Sequence, residues 1–446
     1  MKKILFLMPL MAISLLVNCG GKDNPTYSIG VSAFGCSTEG LKENYTRDEE
    51  ANLKFIAQDN FFLPQEIKVK INDTILTKDV DYQYVVDEDY LNADFKIKVT
   101  DNVEVTISAY DITTPLTFTS NKDNATLSVH HTCIHKFDAP TNLKYIHKDS
   151  SGQEKSTGSL SITDTEDAEK TIEIEKSINK GDTIQLFGDN PYGFNKMGTS
   201  SSELSVTSFV TGSSDDFSVS GNIMSLISET NFVKLDSLPG PGCFGALFYP
   251  FNFEQIELSD VCNITDASLL YLPYASSLSY AFLFSGCATL KKAPIVLPAM
   301  DLYFATYAGI FNRCSSLEDV PELPAIKLDD FCYFAMFNDC TSIKKAPNNL
   351  PAKKIGLETY GTMFSGCTAL TTPPRISALE GNYDCCAHMF EGCTSLYVTK
   401  NPDSAQLFFT CPKSNFGVES MFDQCPGDFT SSDPQPGDMC YYKVQA

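Results

Sequence analysis

An eleven-residue phrase, FSGCATLKKAP, returns as FNRCSSLEDVP, FNDCTSIKKAP, FSGCTALTTPP and FEGCTSLYVTK between residues 284 and 400. Its Phe falls at Phe284, Phe311, Phe337, Phe364 and Phe390, and its Cys at Cys287, Cys314, Cys340, Cys367 and Cys393, so the steps are 27, 26, 27 and 26 residues. A degenerate sixth copy, MFDQC, ends at Cys425. A fixed period in this range belongs to stacked repeats, because one turn cannot bury its own apolar stripe and must lay it against its neighbours. The Phe and Cys positions are therefore expected to form the rows of one continuous core. The slack between the two step lengths lies in one half of each turn, since Leu297, Leu323, Leu350 and Ile376 each precede the next Phe by 14 residues.

Within a turn, Tyr333, Met336, Phe337 and Cys340 stand at i, i+3, i+4 and i+7. Tyr307, Ile310, Phe311 and Cys314 repeat the spacing, as do Tyr360, Met363, Phe364 and Cys367. That is one stripe of a helix. Gly286, Gly366 and Gly392, just before the Cys, can leave a helix with positive φ. The chain then extends toward a Pro, which cannot continue a helix. Each turn is predicted as a short helix, a corner, a short extended stretch and a return.

The composite C-T/S-x-L…P…LPA…Y-x-x-M-F-x-G-C, with the lead-in GNIMSLI, resembles the BspA-like leucine-rich repeats of bacterial surface proteins over about residues 221–430. The resemblance implies a leucine-rich-repeat solenoid and a role in cell-surface adhesion or interaction. Two departures, at Tyr397–Lys400 and in CPKSNFGVESMFDQCPGDF, are expected of a terminal cap, with 431–446 as a tail.

Upstream the pattern changes. EIKVKIND places Ile67, Val69 and Ile71 on one face of a strand, and DFKIKVTDNVEVTIS does the same with Phe95, Ile97, Val99, Val103, Val105 and Ile107. This stretch resembles the small Ig-like β modules that serve as spacers in bacterial surface proteins, and is assigned to 46–111. PLTFTS, ATLSVH, KTIEIEKS, DTIQLFG and DFSVSG suggest a second sandwich at 112–220. The expected fold is thus multidomain: two N-terminal all-β modules, then a solenoid of short helices and strands.

At the start, Lys2 and Lys3 precede an apolar run from Ile4 to Val17, too short to span a bilayer comfortably. LLVNCGGKDN resembles a bacterial lipoprotein signal, with Asn18 departing from the usual small residue before the Cys. The resemblance implies removal of 1–18, acylation of Cys19 and a lipid anchor in the outer membrane facing outward, and the Gly-, Ser-, Asn- and Thr-rich stretch that follows reads as a tether over 19–45. An ordinary secretory signal is the plainer alternative.

A net charge of −23 argues against nucleic acid or an anionic membrane surface as partner. The chain has 16 Cys, which in an exported protein suggests disulfides. A uniform ladder has no preferred pairing, however, and buried Cys packs well as a small hydrophobe, which favours free thiols in the repeats. Cys243, Cys332 and Cys385 stand five residues before a repeat Phe, where Thr306 and Thr359 stand in other turns. Cys386, Cys411, Cys425 and Cys440 near the cap are the candidate disulfide partners.

HHTCIH would put His131, Cys133 and His135 on one strand face, but a strand advances ~3.3 Å per residue, which separates the two His too far for one ion. DVDYQYVVDED could hold calcium through Asp79, Asp81, Asp87 and Asp89, yet it lacks the Gly and Glu of an EF-hand loop. Neither is assigned as a metal site, no cofactor is implied, and His388 is read as a core-edge residue. No nucleotide-binding or hydrolase motif is present. The residues after each repeat Leu or Ile read Lys291-Lys292, Glu318-Asp319, Lys344-Lys345 and Thr371-Thr372. Stacked, they form either a ladder of ion pairs that fixes register or a recognition strip. The functional expectation is a non-catalytic lipoprotein that binds an extracellular protein or glycan through the repeats. The alternative is carbohydrate capture for nutrient uptake, with the ligand on the β modules.

Overall fold

The computed structural model describes residues 25–443 apart from 59–60, 65–66, 73, 79, 88–90, 135–138, 165–167, 199–203, 250–261, 413–415 and 431. Its first unit is a sandwich of two four-stranded sheets. One runs in the order Cys36–Glu39, Glu50–Ala57, Asn92–Lys98, Tyr82–Val86; the other runs Ile29–Phe34, Val103–Ser108, Lys68–Ile71, Thr74–Ile75. Alternation along these strands turns Phe55, Phe95, Val69 and Val105 inward, where they form a core of their own.

The second sandwich sets six strands, Glu154–Ile162, Thr141–Lys148, Thr183–Phe187, Leu116–Ser120, Phe217–Asn222 and Ile264–Tyr271, against four, Ala168–Ile178, Ala125–Cys133, Leu204–Thr211 and Lys196–Met197. Phe217–Asn222 pairs in parallel with Ile264–Tyr271, and single parallel bridges continue from Asp266 to Lys292 and from Lys292 to Asp319. The sheet therefore passes directly into the repeats, and one apolar core runs from Leu116 to Cys440.

At one end of the second sandwich, buried His147 lies 3.1 Å from Asp182 and 3.4 Å from Glu175, and Lys155 lies 2.9 Å from Asp182. Burial alone would raise the Asp182 carboxyl. The Lys155 ammonium, the Asn179 N–H and His147 outweigh it and hold the group below the usual carboxylate range. Glu175 is also lowered, its burial outweighed by the Ser156 hydroxyl, the Lys176 N–H and His147. A carboxyl lowered by folding contributes stability that is fully present above its unfolded value and is lost as pH falls through the lowered one. Stability followed by urea titration is expected to fall below about pH 4, the unfolded value of Asp, and Asp182→Asn should flatten that decline. An unchanged decline in the variant would exclude Asp182 as a source.

The repeats correct the expected fold class. The leucine-rich-repeat solenoid of short helices and strands does not form: no α-helix occurs among the described residues, and the only helical turns are the 3-10 segments Ile223–Leu226 and Phe232–Lys234. The segments expected to be helices are runs of overlapping β-turns. The N–H groups of Tyr280, Phe282, Phe284 and Gly286 donate to carbonyls of Thr306, Ala308, Ile310 and Asn312 on the next repeat at 2.7–3.0 Å. Those of Ala281, Leu283, Ser285 and Cys287 donate three residues back within their own repeat at 3.0–3.2 Å. Past its first turn a helix satisfies its N–H groups within itself; here alternate residues face alternate partners. The backbone turns over every four residues, with positive φ at Leu278, Phe282 and Gly286, then at Ala305, Gly309 and Arg313, and so on through the stack. A four-residue period buries i, i+3, i+4 and i+7 as a helix does, which is why the apolar stripe misled. The left-handed conformation costs ~1–2 kcal/mol at each non-Gly residue, and the inter-repeat hydrogen bonds offset it.

The stripe residues stack in files. Phe248, Phe284, Phe311, Phe337, Phe364, Phe390 and Phe422 follow at centroid spacings of 4.9, 5.7, 5.6, 5.2, 5.5 and 5.6 Å. Tyr280, Tyr307, Tyr333 and Tyr360 form a second file at 5.5–6.2 Å. The Phe-x-x-Cys spacing has a specific cause. The Phe311 carbonyl accepts both the Cys314 N–H of its own turn at 3.0 Å and the Cys340 thiol of the next at 3.0 Å. The same thiol-to-carbonyl step joins Cys314 to Phe284, Cys367 to Phe337 and Cys393 to Phe364, each at 3.1 Å, and Cys425 to Phe390 at 3.0 Å. Burial pushes the Cys314 and Cys340 thiols well above their ordinary value, so they stay protonated and donate.

None of the 15 described cysteines is in a disulfide, and all are buried. This corrects the expectation of a disulfide among Cys386, Cys411, Cys425 and Cys440; Cys425 is simply the last rung of the thiol ladder. Thr306, Cys332 and Thr359, five residues before Phe311, Phe337 and Phe364, form a second donor file. The Cys332 thiol reaches the Tyr303 carbonyl at 3.2 Å, and the Thr359 hydroxyl reaches that of Asp329 at 3.3 Å. Cys332→Thr is therefore expected to change unfolding free energy by less than about 1 kcal/mol, whereas Cys332→Ala, which removes the donor, should cost about 1–2 kcal/mol. Equal losses in both variants by urea denaturation would refute the shared role. An antiparallel sheet of Tyr397–Thr399, Met439–Lys443 and Gln406–Thr410 closes the stack, with Phe408 edge-on to Phe390 and Phe422.

Candidate functional site

The charged strip of the repeats lies on neighbouring turns. The N–H groups of Glu318 and Asp319 both donate to the Lys291 carbonyl, Asp319 bridges Lys292, and the Lys344 carbonyl accepts from Thr371 and Thr372. Lys291, Lys292, Glu318, Asp319 and Lys344 are exposed, and Lys345 is half-buried. An ion pair forms at the head of the strip, Lys292 to Asp266 at 3.1 Å, with a residue outside the expected ladder. Burial would raise Asp266, but the Ser268 hydroxyl and N–H and Lys292 hold it below the usual carboxylate range. Glu318 and Asp319 have no ion-pair partner within 4 Å among the described residues.

The first sandwich does not stand clear of the repeats. Phe62 and Ile112 pack against Val296 and Tyr271, which brings the sandwich alongside the strip. Between the two lies a cleft made of two adjoining cavities of about 260 and 250 Å³, joined through Ile67, Glu322 and Asn348. Lys292, Glu318, Asp319 and Lys345 line the second cavity; Lys291 and Lys344 do not line either.

The opposite wall comes from sequence features that carried no functional signal. Ile67 belongs to the alternating stretch EIKVKIND, and its residual exposure faces the cleft. Leu76, Thr77 and Lys78 follow the edge strand Thr74–Ile75, where the Leu76 N–H still bonds the Val69 carbonyl at 2.8 Å. Lys78 lies 5.7 Å above the Tyr84 ring. On the repeat side, the Asn348 amide donates to Glu322 at 3.0 Å. Apolar surface comes from Met300, 38% exposed, and Ile326, 52% exposed, one repeat apart on the same column.

The other sequence candidates lie elsewhere. Cys19 is outside the described residues, as are His135, Asp79 and Asp89. His131 and Cys133 are buried on one strand face, with His131 Nδ1 2.9 Å from the Thr207 hydroxyl and its Nε2 3.3 Å from Asp164. Asp81 accepts from the Thr77 N–H, and Asp87 from the N–H groups of Leu91 and Asn92, so both are engaged in turns. Among the described residues no group of three or more His, Cys, Asp or Glu is placed to hold a metal ion. His388 sits at positive φ with Nδ1 2.8 Å from Glu391. No family model matches this chain, and neither a curated protein nor a solved structure matches it.

Proposed function

We propose that this chain is a non-catalytic, surface-displayed binding protein whose ligand, an extracellular protein or glycan, enters the cleft between the first sandwich and the repeats. One observation carries the reading: Lys292, Asp319 and Lys345, from three successive turns, face Ile67 across a cleft at a boundary between two units. Ligand sites concentrate at such boundaries, where a few polar groups converge on a partly apolar wall. The export reading of the N-terminus fits this role. Acyl chains on Cys19 would hold the protein at the membrane, each buried CH₂ contributing ~0.8 kcal/mol.

The test fills the cleft. Asn348→Trp places a bulky ring between the two cavities while leaving the buried files untouched. Against a panel of matrix proteins, mucins and polysaccharides, the variant is expected to lose the saturable binding shown by the parent chain at an unchanged melting temperature. Binding that persists at parental affinity would remove the cleft as the site.

A further inference from the structure

Resting on that reading, we infer that the cleft takes an extended polypeptide segment bearing Lys or Arg side chains between aliphatic ones. The charge at the middle of the cleft sets the sign. Lys292 is paired with Asp266, which leaves Lys78, over the face of Tyr84, and Lys345 against the three carboxylates Glu318, Asp319 and Glu322. Glu318 and Asp319 project from the central turn with no ion-pair partner within 4 Å among the described residues. A ligand that covers them strips water from two carboxylates, a cost it offsets only by bringing cations of its own. The net charge of −23 draws the same kind of partner from a distance.

The remaining surface separates a polypeptide from a sugar. Flat sugar faces are held by exposed aromatic rings, and among the described residues the only aromatic one lining either cavity is Tyr82, 4% exposed with its hydroxyl on the Ile67 carbonyl. What the walls offer instead is aliphatic: Ile67 and Leu76 on one side, Met300 and Ile326 on the other. These suit Leu, Ile and Val side chains and the methylene stems of Lys and Arg. The length is also suitable. Turns bridged in parallel stack ~4.8 Å apart, so the path from Lys292 to Lys345 spans about 10 Å, which an extended chain crosses in about three residues.

The experiment titrates the full chain with short fluorescein-labelled peptides that alternate leucine with lysine or leucine with glutamate, and with a neutral oligosaccharide. The lysine peptide is expected to bind, and Glu318→Gln with Asp319→Asn should weaken it about tenfold or more, the worth of one charge-assisted hydrogen bond. A control removes equal charge away from the cleft, through Asp403→Asn with Glu419→Gln, both exposed; its affinity should match the parent within about twofold. Equal weakening by both double variants would reduce the effect to net charge and overturn the inference, as would preference for the glutamate peptide or the sugar. Asn348→Trp separates the two levels. If it abolishes binding of a ligand that is not basic, the cleft stands and the polypeptide inference falls; if it leaves lysine-peptide binding intact, both fall.

Discussion

Cut between Gly221 and Asn222, the chain should lose the fold of its second sandwich and of its repeats, although the junction separates strands from repeats in the sequence. Phe217–Asn222 lies between Leu116–Ser120 on one side and Ile264–Tyr271 on the other, so the cut runs through a central strand of a six-stranded sheet. The two halves also share side-chain and backbone partners. Phe118 packs on Phe248 at 5.9 Å, the Asn195 amide bonds the Gly245 carbonyl at 2.9 Å, and the Phe209 N–H bonds the Leu247 carbonyl at 2.7 Å. Separation would expose Leu247, Phe248, Ile264 and their counterparts, each worth ~1.5–3 kcal/mol when buried. Several such losses together reach the ~5–15 kcal/mol that holds a typical domain together. Residues 222–446 alone are expected to show no cooperative thermal transition and the other fragment only that of the first sandwich, whereas residues 112–446 should melt cooperatively. A cooperative melt from 222–446 alone would contradict a shared core.

The second large effect lies in the Phe file. Phe337 is fully buried and stacks between Phe311 at 5.6 Å and Phe364 at 5.2 Å. Phe337→Ala removes both stacks and leaves a cavity that the rigid inter-turn hydrogen bonds keep from collapsing, at a cost of about 3–5 kcal/mol. Tyr383, 65% exposed, gives the contrast: Tyr383→Ala should stay within about 0.5 kcal/mol. Chemical denaturation of both variants checks the pair. A Phe337→Ala loss no larger than that of Tyr383→Ala would mean the file contributes little.

The period of the repeats made much of the stack legible. Residues one step apart had to be neighbours, and the Phe, Tyr and Cys positions do form files. The backbone that carries those files was not legible. A spacing of i, i+3, i+4 and i+7 suits both a helix and a run of turns with a four-residue period. The residues that would have decided it, Leu278, Phe282 and Phe331 at positive φ, are side chains for which that conformation is uncommon. The alternation of Cys332 with Thr306 and Thr359 was a clue to a hydrogen-bond donor file, visible only once the carbonyls were in place. For the cleft, one wall followed from the repeat step, because Lys292 and Asp319 must adjoin. The other wall rests on a tertiary contact between Ile112 and Val296, distant in sequence, and nothing in EIKVKIND distinguishes Ile67 from an ordinary core position.

A ligand held in the cleft needs both of its walls. The first sandwich has a core of its own, and the rest of the chain has another, so residues 25–111 can be deleted without opening the second. Binding of the full chain and of residues 112–446 to the same immobilised ligand, measured beside their melting curves, tests this directly. A two-walled site predicts that the shortened chain melts cooperatively and binds at least about tenfold more weakly, having lost the Ile67 and Leu76 wall. Undiminished affinity in the shortened chain would place the ligand on the repeats alone and contradict it.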